Sequence, residues 1–170
     1  MDVLDAIKTK RAVRQFSQTP IPGEVARAIL NAGRRAQSAK NTQPWQFIAI
    51  TDKRTLEQLS KLGQYAGHVA GAALAIAIVT PDPGESWSIF FDAGQAAAYM
   101  QLAAWSYGVG SVPATITEND AARALLGFPE GMVLNIAFSF GYPADAAALT
   151  RPNQKGGRMP LDEVVHWEKW

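Results

Sequence analysis

Helix and strand patterns alternate along this 170-residue chain, which calls for a layered fold of α+β or mixed α/β type. Two features agree. Residues 71–79, GAALAIAIV, form an unbroken apolar run, as a central strand covered on both faces should. Residues 87–107 read as one long helix with a single charge, Asp92, so it needs apolar surroundings on nearly every side. A chain of this length makes one domain, 1–170, with a sizeable core.

In chain order, Val3, Leu4 and Ile7 fall at helical spacing and give a short helix over 2–9 ending in a basic turn. Pro22 opens a second helix. Val25, Ala28, Ile29 and Ala32 form its apolar stripe, and Gly33 begins its end. WQFIAI, 45–50, reads as a strand. Asp52 caps the next helix, which carries Leu56, Leu59 and Leu62 on one face. The loop PDPGES, 81–86, precedes the long helix, whose apolar girth is hard to bury in one subunit and points to a partner chain. Gly108 stops that helix. SVPATI, 111–116, is a short strand or turn. Thr117 with Asp120 starts a further helix that Gly127 ends, and MVLNIAFSF, 132–140, is a second buried strand. From Tyr142 to Pro160 the chain is irregular and rich in Pro and Gly. It closes on LDEVVHWEKW, whose Val164, Val165, Trp167 and Trp170 need a surface to lie on.

Composition narrows the chemistry. Hydrophobic residues make up 48% and charged ones 18%, which describes a folded and rather apolar protein. The net charge of +1 argues for no nucleic-acid field, and no basic stripe is interleaved with aromatics. Without cysteine there is no disulfide, thiolate metal site or cysteine nucleophile. The start MDVLDAIKTK lacks the form of a signal peptide, and no apolar run reaches membrane-spanning length, so a cytoplasmic protein is expected. His68 and His166 are far apart in sequence with no ligand-spaced carboxylates beside them; His68 reads as a helix-end or loop residue and a metal site is not expected. GVGSVP, 108–113, follows a helix and lacks the third glycine of a dinucleotide loop, so it is a turn. An enzyme built this way would leave the difficult chemistry to a bound cofactor.

Three stretches remain, each open to two readings. In KRAVRQF, 10–16, Lys10, Arg11 and Arg14 either offset a helix C-terminus or hold an anion. SAKNTQPWQF, 38–47, is either a loop leading into a strand or a polar edge facing something flat that is not protein. NQKGGRMP, 153–160, is either a loose tail or a place where Gly156 and Gly157 admit a ligand and Arg158 forks onto an anion; Arg151 and Lys155 add charge nearby.

Taken together, in this order and spacing, these stretches resemble the nitroreductase family of FMN-dependent oxidoreductases, as do LLGFPEG, FGYPAD and GGRMPLDEVVHW. The resemblance runs nearly end to end. It implies an α+β sandwich with a mostly antiparallel central sheet flanked by helices, an intertwined homodimer, and two FMN molecules at the interface. The uncharged helix would then be the dimer core, and residues 142–170 an arm wrapping the partner. Carried over, Lys10 and Arg11 match the basic pair at the FMN phosphate, and Arg158 with the Gly157 backbone reaches the phosphate from the far end. Arg14 matches a cation toward the ribityl chain and the N1/O2 edge. Residues Pro113, Ala114 and Thr115 match the segment giving a backbone N–H to flavin N5, and Gln64 matches an amide contact to the pyrimidine edge. Ser38, Ala39, Asn41 and Gln43 would edge the isoalloxazine held mainly by the partner, with Trp45 and Phe47 anchoring that loop.

Two departures stand out. Ala12 replaces the family's common Ser, leaving only its backbone N–H for the phosphate, and the usual covering insertion is cut to TPDPGES, leaving Tyr65, Trp87 or the tail as lid. The activity implied is ping-pong transfer from NAD(P)H through FMN to a nitroaromatic, quinone or similar acceptor, with no side chain acting as acid or base. Dehalogenation, enoyl-type reduction and flavin fragmentation belong to branches of the same fold, and a non-catalytic FMN-binding dimer is the alternative from another class.

Overall fold

Strand β2 (Leu74–Pro81) sets the layering. Successive side chains point to opposite faces. Leu74, Ile76 and Ile78 enter one apolar cluster, Ala75, Ala77 and Val79 the other, and none is more than 2% exposed. Both faces therefore need helical cover. The computed structural model describes residues 1–84, 86–149 and 157–170. It places β2 between β1 (Gln46–Ile50) and β4 (Met132–Gly141), with β3 (Gly110–Thr115) on the edge beyond β4. Each neighbouring pair is antiparallel. Helices α2 (Gly23–Arg34) and α4 (Trp87–Ser106) supply Val25, Ile29, Ala96 and Met100 to the first cluster. Helix α3 (Lys53–Leu59), the 3-10 turn Ala66–Gly71 and α5 (Asn119–Leu126) supply Leu56, Leu59, Val69 and Ala122 to the second. The result is an α+β sandwich. Helix α1 (Val3–Thr9) is fastened to the far end of α4, where Trp105 Nε1 donates to Thr9 Oγ1 at 2.8 Å. A short α6 (Leu161–Val164) lies near the C-terminus.

Several local expectations are corrected. Gly33 does stand at the end of α2, one residue before Arg34, and it has a second role: a Cβ there would lie 2.7 Å from Met100 Cγ, so it lets α2 and α4 close up. Thr117 does not cap α5. Its hydroxyl donates to the Leu62 carbonyl at 3.3 Å, Glu118 is the N-cap without a side-chain bond, and Asn119 pairs with both backbone groups of Leu134. Of the two readings of 111–116 the strand holds, as β3 over Gly110–Thr115, and GVGSVP, 108–113, is a turn only up to Val109. The apolar stripe of α1 faces outward: Val3, Leu4 and Ile7 are exposed and Ala6 is the buried residue. Helix α4 is not enclosed by its own chain either, since Trp87, Phe90, Phe91 and Tyr99 are exposed. Val164, Trp167 and Trp170 are exposed in the same way, and Val165 is half-buried. Arg151, Lys155 and Gly156 lie outside the described residues. Among the described residues no helix is long and apolar enough to cross a membrane.

Candidate active site

The basic stretch after α1 is held by two glycines of the sheet. A Cβ on Gly110 would lie 2.6 Å from Val13, and one on Gly141 2.8 Å from Phe16 Cδ1, so only bare backbone lets these side chains settle there. Val13 N–H donates to the Ser111 carbonyl at 3.1 Å and Ser17 N–H to Tyr142 at 2.8 Å. Ala12 bridges Ser111 in parallel fashion. With Val13 buried in an extended segment, its neighbours Ala12 and Arg14 turn outward, and both are exposed. Lys10 and Arg11, at the start of the segment, are half-buried.

Arg158, from the other end of the chain, stands beside Lys10. Burial first, and the Arg158 charge second, push the Lys10 pKa below its usual value of 10.5. No carboxylate among the described residues acts on Lys10 to oppose them. Two neighbouring cations, one of them partly desolvated, make a place where an anion is favoured. That donor set fits a phosphate.

The edge strand β3 carries the second part of the site. Ile116 N–H donates to Asn135 across β4, so by the alternation of an antiparallel pair residues 111, 113 and 115 turn their backbone groups off the sheet. The Thr115 N–H thus points to the open edge, and Pro113, which has no N–H, suits an edge position. Gln64 is exposed and is brought to this edge by Gly63, whose hydrogen lies against the Thr115 carbonyl; a Cβ there would come within 2.0 Å of that oxygen. Ala114 is buried in the second cluster and keeps the segment seated.

His68 joins them. Its Nδ1 lies 2.6 Å from Ser139 Oγ, it hydrogen-bonds the Pro113 carbonyl, and Arg14 is close enough to repel its charged form. Burial and then Arg14 lower its pKa from 6.5, against the opposing effect of the Pro113 bond. The folded protein therefore binds this proton less readily than the unfolded chain. Stability from this group is complete above 6.5 and is lost as pH falls from there toward the folded pKa. Thermal melts taken downward from neutral pH should show this loss, and His68→Gln should remove that component.

The loop 38–43 is built on different supports. Lys40, Asn41 and Gln43 have φ of 52°, 57° and 49°, a left-handed run that side chains rarely adopt. Side-chain bonds help to hold it. Asp92 of α4, 3% exposed, accepts from Ala39 N–H at 2.9 Å, Ser38 Oγ accepts from Gln43 N–H at 2.9 Å, and Gln95 donates to the Gln37 carbonyl at 3.4 Å. Trp45, 5% exposed, and Phe47 stack at 6.4 Å and anchor the loop in the first cluster. Asp92 is nine residues before Gln101, which donates to Ser111 Oγ beside the basic stretch. That interval is about 14 Å of helix, so the loop and the β3 edge are separate places on one chain.

The structure thus gathers Lys10, Ala12, Arg14, Gln64, 113–115 and Arg158 at or near one edge and leaves 38–43 apart. Sequence reading gave Gly63, His68 and Asp92 no role at these places, although it put His68 at a helix end or loop, where the 3-10 turn Ala66–Gly71 holds it. Only Asp92 gave a signal, as the single charge on an apolar helix.

The profile of the Nitroreductase family matches residues 7–64 and 61–142. The chain belongs to the nitroreductase family. A protein of Methanothermobacter thermautotrophicus with the provisional name NADH dehydrogenase/NAD(P)H nitroreductase is 30% identical, the match covering 100% of this chain and 88% of the relative. The NADPH-flavin oxidoreductase of Vibrio harveyi is 28% identical over 97% of this chain and 73% of its own. Among solved structures, an FMN-dependent nitroreductase from Clostridium difficile R20291 superposes with a TM-score of 0.83 at 25% identity, covering 98% and 99% of the two chains.

Proposed function

We propose that this nitroreductase-family protein is an NAD(P)H-dependent FMN oxidoreductase that works as a homodimer. The observation that carries the reading is the meeting of Lys10 and Arg158 from opposite ends of the chain, with no carboxylate among the described residues acting on Lys10. Lys10, Arg11 and Arg158, with the backbone N–H groups of Ala12 and Gly157, would hold the FMN phosphate. Arg14 and Gln64 would lie toward the pyrimidine edge, and the Thr115 N–H would point to N5. Bound FMN supplies two-electron transfer between NAD(P)H and an acceptor. The chain's own residues bind and orient the group and set the charge around it. Arg14 favours whichever state carries more negative charge.

A second copy supplies what one chain leaves open. The exposed apolar stripes of α1 and α4 flank a groove of about 510 Å³ between α1, α2 and α4, lined by Val3, Ile7, Tyr99 and Leu102. Such a surface calls for protein cover. A copy seated there would carry its own 38–43 loop, with Ser38, Ala39, Asn41 and Gln43, to the first copy's flavin. Nicotinamide and acceptor would then use one open face in turn, in keeping with the absence of a dinucleotide fingerprint. Nitroaromatics and quinones are the acceptor classes proposed.

The test begins with the visible spectrum of the purified protein and its sedimentation. Yellow dimer that oxidises NADH or NADPH with menadione or a nitrofuran is expected. Lys10→Ala and Arg158→Ala should each weaken FMN binding roughly 10- to 100-fold, the value of one charge-assisted bond. Bound FMN without turnover would favour a storage or sensing dimer. A colourless monomer that takes up no added FMN would overturn the proposal.

A further inference from the structure

We propose that His68 is a positioning residue that takes up a proton when the cofactor beside Arg14 gains negative charge. The inference rests on the flavin reading above. His68 sits on the 3-10 turn Ala66–Gly71, half-buried, four residues after Gln64. It faces Ser139 Oγ of β4 at 2.6 Å and the Pro113 carbonyl of β3, two residues before Thr115. A neutral imidazole has one N–H and one lone pair. With the N–H on the Pro113 carbonyl and the lone pair receiving the Ser139 hydroxyl proton, each group is used once. Ser139 is 0% exposed, so that arrangement also satisfies a buried hydroxyl.

The charges around the ring decide how it titrates. From the 10–16 stretch comes Arg14; β3 offers a carbonyl and β4 a hydroxyl; among the described residues no charge of α3 acts on it. Burial and Arg14 therefore favour the neutral ring. Negative charge placed at Arg14 offsets that repulsion and attracts an imidazolium. The Ser139 hydroxyl can reverse and accept from the new N–H, so the ring gains a proton without losing a partner.

The balance is simple. Two electrons from NAD(P)H reduce the cofactor together with whatever proton its own chemistry takes, and one further proton passes from solvent to His68. It returns to solvent on reoxidation. No bond to carbon forms or breaks at the imidazole.

The experiment is a redox titration of the FMN-loaded protein at pH values on both sides of 6.5, for wild type and His68→Gln. Each linked proton changes a two-electron equilibrium tenfold per pH unit, about 30 mV. Wild type should be steeper than His68→Gln by one such tenfold step per pH unit across part of this range. Equal slopes would overturn the role of His68. A second measurement serves if the variant does not fold. The chain has two histidines, so in His166→Gln protein the remaining imidazole signals belong to His68. In NMR spectra near pH 6.5 they should move toward the imidazolium on reduction, and fixed signals would equally sink the idea. The same samples report FMN uptake by colour: no uptake removes the flavin reading and this one together, whereas uptake with equal slopes removes this one alone.

Discussion

Gly63→Ala should cost the protein both its stability and its cofactor affinity, although the change adds one methyl group. The added Cβ would stand 2.0 Å from the Thr115 carbonyl oxygen. Nothing flexible can move aside, because the clashing atom is backbone. The contact is also locked from both sides: the Leu62 carbonyl accepts Thr117 N–H at 2.9 Å and Glu118 N–H at 3.3 Å. Either the end of β3 or the segment before the 3-10 turn must shift. Overpacking of this kind typically costs about 3 kcal/mol, and for a chain of this size the melting temperature should fall by roughly 6–12 °C. The same shift separates Gln64 from Thr115, the two residues proposed at the pyrimidine edge and at N5. A misplacement of about 1 Å lowers turnover on the order of 100-fold. Thermal denaturation, FMN titration and NAD(P)H turnover measure the three effects. A variant that melts and binds like wild type would show that Gly63 does not set this crossing.

The contrast between Gly63 and Lys10 explains what the sequence could disclose. Apolar periodicity is a local signal, so β2, α4 and the strand at 45–50 were readable from consecutive residues. The cations at 10–14 and 158 were readable because charges stand out in an apolar chain and their order matches a known family. Gly63 gave no such signal. Its importance comes from a backbone 52 residues later in the chain, and a glycine between Leu62 and Gln64 looks like any loop glycine. The surroundings of His68 gave no signal for the same reason: its partners, Arg14, Pro113 and Ser139, come from three distant segments. The outward faces of α1 and α4 were readable as apolar, but the direction each faces depends on neighbours. Val3, Leu4 and Ile7 look like a core stripe in sequence and are exposed in the chain.

Asp92→Ala should loosen the loop 38–43 and weaken FMN binding without removing any group proposed to contact the cofactor. Three non-glycine residues of that loop hold positive φ, an arrangement that persists only where surrounding bonds over-determine it. Asp92 supplies the bond that comes from outside the loop, through Ala39 N–H at 2.9 Å, and Gln95 reinforces it one turn later. Removing the carboxyl leaves a partly buried N–H without its acceptor, a cost of about 2 kcal/mol and a fall of roughly 4–8 °C in melting temperature. Freed of that bond, the loop relaxes toward ordinary backbone geometry. Affinity for FMN should drop at least about tenfold, since the amide-bearing edge is no longer preorganised. Asp92→Asn separates charge from geometry: its side-chain oxygen still accepts from Ala39, so affinity should return most of the way to wild type. Because the loop of one copy is proposed to serve the flavin of the other, mixed dimers give a sharper result. A dimer pairing Asp92→Ala with Arg158→Ala should keep the intact 38–43 loop and the intact phosphate cradle at the same one of its two sites only if the loop acts across the interface. FMN bound tightly at neither site would place the loop and the phosphate on the same copy instead.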